Sequence, residues 1–165
     1  MEATSRHAQD STLESQALYN LALERMARNN YRKALDFLVR SLQISPGNAL
    51  YLSYFGFCLA QVNRDYDRAV RHCKQAVNAM PSNPIPYVNL GKVYRLRGDN
   101  GSAYEVLQRA WAINRKHPAT ASELTRMGIR RRPFIPFLPR ANWCNKYLGK
   151  LRANLERRLV GQRQS

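Results

Sequence analysis

The sequence predicts an all-α fold: a right-handed α-solenoid of three helix-turn-helix repeats, a short capping helix, a Pro-rich extended strip and an amphipathic C-terminal helix. Landmark residues recur every 34 or 35 positions, apolar residues within each unit fall at helical spacing, and the composition shifts abruptly after Gly128. Ala34, Ala69 and Ala103 are spaced by 35 and 34, and Leu21, Phe55 and Leu90 by 34 and 35. Gly56 and Gly91 lie 35 apart, as do Pro46 and Pro81. Ser41, Ala76 and Ala110 keep the same phase. Independent landmarks sharing one period mark a repeat architecture, in which each unit stacks on its neighbours.

Each unit reads as two helices. Tyr87, Leu90, Gly91 and Tyr94 form one helical stripe, and Gly98 interrupts it. Ala103, Val106, Leu107, Ala110 and Ile113 form the next stripe. Gly91 and Ala103 remove bulk where antiparallel helices cross, and Tyr87, Tyr94 and Leu107 fill the space around the crossing. Pro46 and Pro81 end a unit, because proline cannot continue the helical hydrogen-bond ladder. The expected units are 15–48, 49–83 and 84–117, preceded by a polar segment at 1–14 and capped by a helix at 118–127.

On these residues the chain resembles a tetratricopeptide repeat protein. The family pattern W-x2-L-G-x2-Y, A-x3-F, A and P is matched best by the third unit, as Tyr87-x2-Leu90-Gly91-x2-Tyr94, Ala103-x3-Leu107 and Ala110. The second unit supplies Leu52, Phe55, Gly56, Leu59, Ala69, Cys73, Ala76 and Pro81; the first supplies Leu18, Leu21, Ala22, Ala34, Leu38, Ser41 and Pro46. Arg25 replaces an aromatic residue, Arg115 stands where a proline is expected, and the second unit has one extra residue at the turn Asn63-Arg64-Asp65-Tyr66. His117-Pro118 repeats Asn83-Pro84, and Leu124 repeats Leu90, so Ala119 to Met127 reads as a further first helix that covers the last unit and stops at Gly128.

The resemblance implies protein binding in a groove lined by the first helix of each pair. Carried over by position, the groove residues are Tyr19, Asn20, Leu23 and Met26 in the first unit, Tyr54, Phe57 and Gln61 in the second, and Val88, Asn89, Lys92 and Arg95 in the third. Family members that clamp the carboxylate of chaperone tails use Lys, Asn and Arg at places held here by Tyr19, Leu23, Tyr54, Ile85 and Asn89, and four of these five cannot donate as the clamp requires. The expected groove is apolar and aromatic with a basic edge at Lys92 and Arg95, suited to an amphipathic helix or an extended apolar peptide. The competing reading packs Leu23, Met26 and Phe57 between neighbouring units.

The chain has 165 residues, 44% hydrophobic and 23% charged, which is enough apolar content for a folded core. Lys and Arg total 27 against 11 acidic residues, a net charge of +16 that favours acidic partners. Residues 126–165 hold 11 basic side chains and one acidic one, a net +10. Within them, 128–141 is a basic Pro-rich strip whose Pro133, Pro136 and Pro139 forbid a helix. Its Phe134, Ile135, Phe137 and Leu138 call for an apolar surface, either on the repeat array or on another protein. A basic amphipathic helix is expected at 142–161, with 162–165 as a tail. Its apolar side, with Trp143, Leu151 and Leu155, either completes the core or meets a membrane or acidic partner. Arg130, Arg131, Arg132, Arg140, Lys146, Lys150 and Arg157 are the candidate contacts to an anionic membrane or nucleic acid, with a solvated surface as the alternative.

Catalytic chemistry is not assembled. His7, His72 and His117 are far apart, Cys58, Cys73 and Cys144 form no C-x-x-C, and no phosphate-cradling loop or metal-ligand cluster occurs, so no enzyme activity, cofactor or metal is expected. Apolar runs are only a few residues long, which predicts no transmembrane helix, and residues 1–16 lack the apolar core of a secretory signal. The expectation is a cytoplasmic, non-catalytic interaction module, an adaptor or assembly factor. The alternative is a peripheral tether to membrane or nucleic acid through the basic C-terminal segment.

Overall fold

The computed structural model describes the backbone of residues 2–128 and the side chains from residue 9 onward. The Pro-rich strip, the helix at 142–161 and the basic residues Arg130, Arg131, Arg132, Arg140, Lys146, Lys150 and Arg157 lie outside the described residues. Within them the elements are all helical: α1 (Glu2–Ala27), α2 (Tyr31–Ile44), α3 (Ala49–Asn63), α4 (Tyr66–Ala79), α5 (Pro84–Arg97), α6 (Asn100–Ile113) and α7 (Pro118–Arg126). Helices α1/α2, α3/α4 and α5/α6 pair as hairpins, α3 and α5 stack on the pair before them, and α7 lies on α5 and α6.

The three hairpin turns share one local solution. A residue in left-handed conformation ends or follows the first helix, and an Asn or Asp then caps the second. Asn29 (φ 57°), Arg64 (φ 56°) and Gly98 (φ 88°) take the first role. Asn30, Asp65 and Asp99 take the second, each accepting from a backbone N–H three residues on, of Lys33, Arg68 and Ser102. Such a cap satisfies one of the donors that the first helical turn leaves free. Between hairpins, Asn48, Asn83 and His117 cap α3, α5 and α7, and the last two caps are followed by Pro84 and Pro118, which suit a first turn. The extra residue of the second unit does not lengthen its turn. It lengthens the helix: α3 has 15 residues and α5 has 14, and both turns consist of two residues.

A second difference concerns the N-terminus. The 1–14 stretch is not separate from the array, because α1 is helical from Glu2 and runs for 26 residues. No Gly or Pro interrupts the chain between Glu2 and Ala27, so nothing local breaks the helix there. Its early turns lack the apolar periodicity that would have announced them, and Leu13 is 69% exposed.

Small residues set the helix crossings. A Cβ on Gly56 would stand 2.7 Å from Cys73 Sγ and 2.9 Å from the Ala69 carbonyl oxygen, and one on Gly91 would stand 2.7 Å from Leu107 Cγ. Ala22, Ala34, Ala69 and Ala103 are fully buried at the matching places. The core is continuous through the stack. Tyr19, Leu38 and Tyr51 join the first unit to the second, Phe57, Cys73, Leu90 and Val93 join the second to the third, and Leu124 of α7 covers Val88 and Leu107. Without that cover the apolar end of the last unit would face water.

Candidate functional site: an interhelical groove

The first helices of the three pairs and α7 line one side of the stack, where a cavity of about 300 Å³ opens. Leu23 and Met26 of α1, Tyr31 of α2 and Phe57 of α3 supply its apolar wall. Gln61 of α3, Lys92 and Arg95 of α5, and Glu123 and Arg126 of α7 supply the polar wall.

Lys92 Nζ stands 5.0 Å from the centroid of the Phe57 ring, a cation–π arrangement. The Phe57 ring is in turn edge-on to Tyr31, with centroids 5.7 Å apart. Burial lowers the Lys92 amine below its ordinary value; Arg126 and Arg95 push the same way and Glu123 opposes them. Glu123 is 3% exposed. Its Oε2 lies 3.2 Å from Arg95 Nε and its Oε1 lies 3.3 Å from Arg126 Nη1. The Arg95 contact is an ion pair without hydrogen-bond alignment, so Nε and Oε2 are buried with unused hydrogen-bonding capacity. The groove thus ends in three cations and one carboxylate around an aromatic face.

The structure brings Leu23, Met26, Phe57, Gln61, Lys92 and Arg95 together as lining of this cavity. It separates the remaining sequence-predicted residues from it. Tyr19 is buried against Tyr51 (centroids 4.8 Å) and edge-on to Tyr54 (5.5 Å), in an aromatic cluster between α1 and α3. Burial, with Tyr54 adding to it, raises the Tyr19 hydroxyl well above the usual tyrosine range. Asn20 is exposed and accepts from Gln16 Nε2 at 3.1 Å. Val88 and Asn89 require a correction: both are 2% exposed and face into the stack instead of lining the groove. Val88 packs with Leu107 and Leu124, and Asn89 donates from Nδ2 to Ser53 Oγ at 3.0 Å. The cause is that α5 is sandwiched, with α3 on one side and α7 on the other, so few of its positions reach solvent.

Glu123 and Arg126 also line the groove, although repeat position in the three pairs does not point to them. Glu123 follows Asn89 by 34 residues, and Asn89 follows Tyr54 by 35, so extending the repeat register into α7 would have marked it. An acidic side chain there also runs against the basic character of the neighbouring sequence. Among the described residues no group of three or more His, Cys, Asp or Glu could hold a metal ion, and no helix is long and apolar enough to cross a membrane.

The comparisons with known proteins agree with this architecture. The tetratricopeptide repeat family model matches residues 63–126. A thermophilic tetratricopeptide repeat protein of Thermus thermophilus superposes with a TM-score of 0.61 at 18% identity, covering 68% of this chain and 63% of that one. The Sgt2 domain of Aspergillus fumigatus gives 0.59 at 23% identity, covering 69% and 76%. The second such domain of human RPAP3, solved with an HSP70 peptide, gives 0.56 at 14% identity, covering 73% and 97%. At these identities the likeness is one of fold. No curated protein matches the chain in sequence. Residues 63–126 match the tetratricopeptide repeat family, and the described helices have the tetratricopeptide repeat fold.

Proposed function

We propose that this protein is a non-catalytic adaptor or assembly factor that binds a peptide or helix of a partner protein in the groove between α1, α3, α5 and α7. One observation carries the reading: a 300 Å³ cavity in which Lys92 sits over the Phe57 ring beside Arg95 and its buried partner Glu123. An aromatic face next to groups with spare hydrogen-bonding capacity offers both burial and orientation to a bound segment. The peptide held by the related RPAP3 domain supports a peptide as the ligand class. The ligand is expected to differ from a chaperone tail, since four of the five clamp positions, Tyr19, Leu23, Tyr54 and Ile85, cannot donate as the clamp requires, and the amide of Asn89 is turned to Ser53. The sequence-derived picture of an apolar groove is refined by Glu123, which adds a carboxylate to its basic end.

Peptides selected from a random library on the full chain, at low and at high salt, test this. A selected peptide should survive high salt and weaken about tenfold or more in Lys92→Ala and Arg95→Ala. Peptides indifferent to both substitutions, or captured only at low salt, would overturn the groove as the functional surface.

A further inference from the structure

A second cavity of about 300 Å³ lies away from the groove, between the second helices α4 and α6, with α5 as its floor. The floor is Tyr87, Leu90 and Tyr94, and the walls are Val77 of α4 and Val106 of α6. Lys74 on α4 and Arg109 on α6 flank the opening, together with Glu105 one turn before Arg109. Lys74, Glu105 and Arg109 are exposed, and among the described residues none of the three is in an ion pair.

The chain carries its own comparison. One repeat earlier, Leu90 corresponds to Phe55 and Val106 to His72. There the two rings meet edge-on with centroids 5.1 Å apart, whereas Leu90 and Val106 line the cavity. Lys74 and Arg109 correspond to Val39 and Gln75, so of the two intervals only the later one carries these cations. The opening also sits where Tyr87 is pinned, its hydroxyl donating to the Pro81 carbonyl at 3.1 Å, which keeps that aromatic wall in place.

We propose that this outer cleft is a second binding site, taking an aromatic side chain of a partner protein that is flanked by acidic residues. The apolar floor and its two tyrosines receive one ring, which such a pocket rewards by burial and by edge or stacked contact. Lys74 and Arg109 meet carboxylates on either side of it, while Glu105 limits the local excess to one positive charge. The occupant is acidic because a basic segment would bring its charges against both flanking cations.

The test uses the full chain and three capped tripeptides, acetyl-Glu-Phe-Glu-amide, acetyl-Glu-Ala-Glu-amide and acetyl-Lys-Phe-Lys-amide, followed by NMR titration with shifts read at Tyr87, Tyr94 and Val106. The first should bind at the cleft, and loss of the ring or reversal of the charges should weaken binding about tenfold or more. Lys74→Glu with Arg109→Glu should abolish it, and Glu105→Gln should strengthen it about twofold or more. Both changes are on exposed residues and leave folding, checked by circular dichroism, intact. Val106→Phe should close the cleft and remove binding. Equal binding of the ring-free or lysine peptide, or shifts centred on Phe57 and Lys92, would overturn the proposal.

Discussion

Asn89 and Ser53, 36 residues apart in sequence, are joined by a buried hydrogen bond of 3.0 Å that ties α5 to α3. Ser53 Oγ accepts from Asn89 and donates to the Leu50 carbonyl at 2.9 Å, so a short chain of hydrogen bonds runs from one repeat into the next. A polar pair inside a stack of apolar residues fixes which faces meet.

Asn89→Ala should therefore destabilise the array by about 1–3 kcal/mol, because it removes the donor and leaves space in a closed interface. Ser53→Ala in the same background should cost less than it does alone, since the partner is already gone. Urea unfolding of the two single variants and the double variant measures this coupling. Additive losses would show that the bond does not link the repeats.

Gly56→Ala and Gly91→Ala should both destabilise, and the first more than the second. At Gly56 the new methyl meets the backbone carbonyl of Ala69 at 2.9 Å as well as Cys73 Sγ at 2.7 Å, and backbone cannot rotate away. At Gly91 the close atoms belong to the Leu107 side chain, which can change rotamer. Overpacking of this kind costs roughly 1–3 kcal/mol. Thermal melting of the two variants ranks them.

Glu123→Ala should loosen α7. The substitution leaves Arg95, and beside it Lys92, facing a cavity with no counter-charge. Because Arg95 is itself 36% exposed, the loss should be about 1–2 kcal/mol and smaller than for a fully buried pair. Glu123→Gln keeps the shape and should lie between. Limited proteolysis at the α7 end, compared with global melting, separates local release from unfolding of the whole array.

Alkaline pH should weaken the fold before it affects the described thiols. Burial pushes Cys58 from its ordinary 9.0 up to about 12, and Cys73 and Tyr19 are likewise raised by burial. A group whose folded value is raised contributes fully below its unfolded value, and that contribution is lost as pH rises toward the folded one. Stability should thus fall between 9.0 and about 12 for Cys58, with Lys92 acting in the opposite sense below 10.5. The urea midpoint should be lower at pH about 10.5 than at about 8, and less so in Cys58→Ala. A thiol reagent at neutral pH should leave Cys58 and Cys73 unmodified until the protein unfolds.

Much of this architecture can be read from residues alone. The period of 34 or 35 locates every hairpin, and the Asn/Asp caps and glycines locate the turns and crossings. The helical extent of α1 was not legible, because its first turns are helical without an apolar stripe. The groove was legible in part. Leu23, Met26, Phe57, Gln61, Lys92 and Arg95 follow from repeat position, whereas Val88 and Asn89, expected in the groove on the same basis, are enclosed.

The sequence by itself determined the repeat and the small residues that let helices approach. These are local or periodic properties, set by backbone conformation and by spacing along one helix. Only the tertiary structure decided which first-helix positions remain open and what the groove carries at its end. That depends on α7 covering Val88 through Leu124 while setting Glu123 against Arg95. It decided also that Leu90 and Val106 line a cavity, where one repeat earlier the rings of Phe55 and His72 meet. Burial and pairing are relations between helices distant in sequence, and they exist only once the stack has formed.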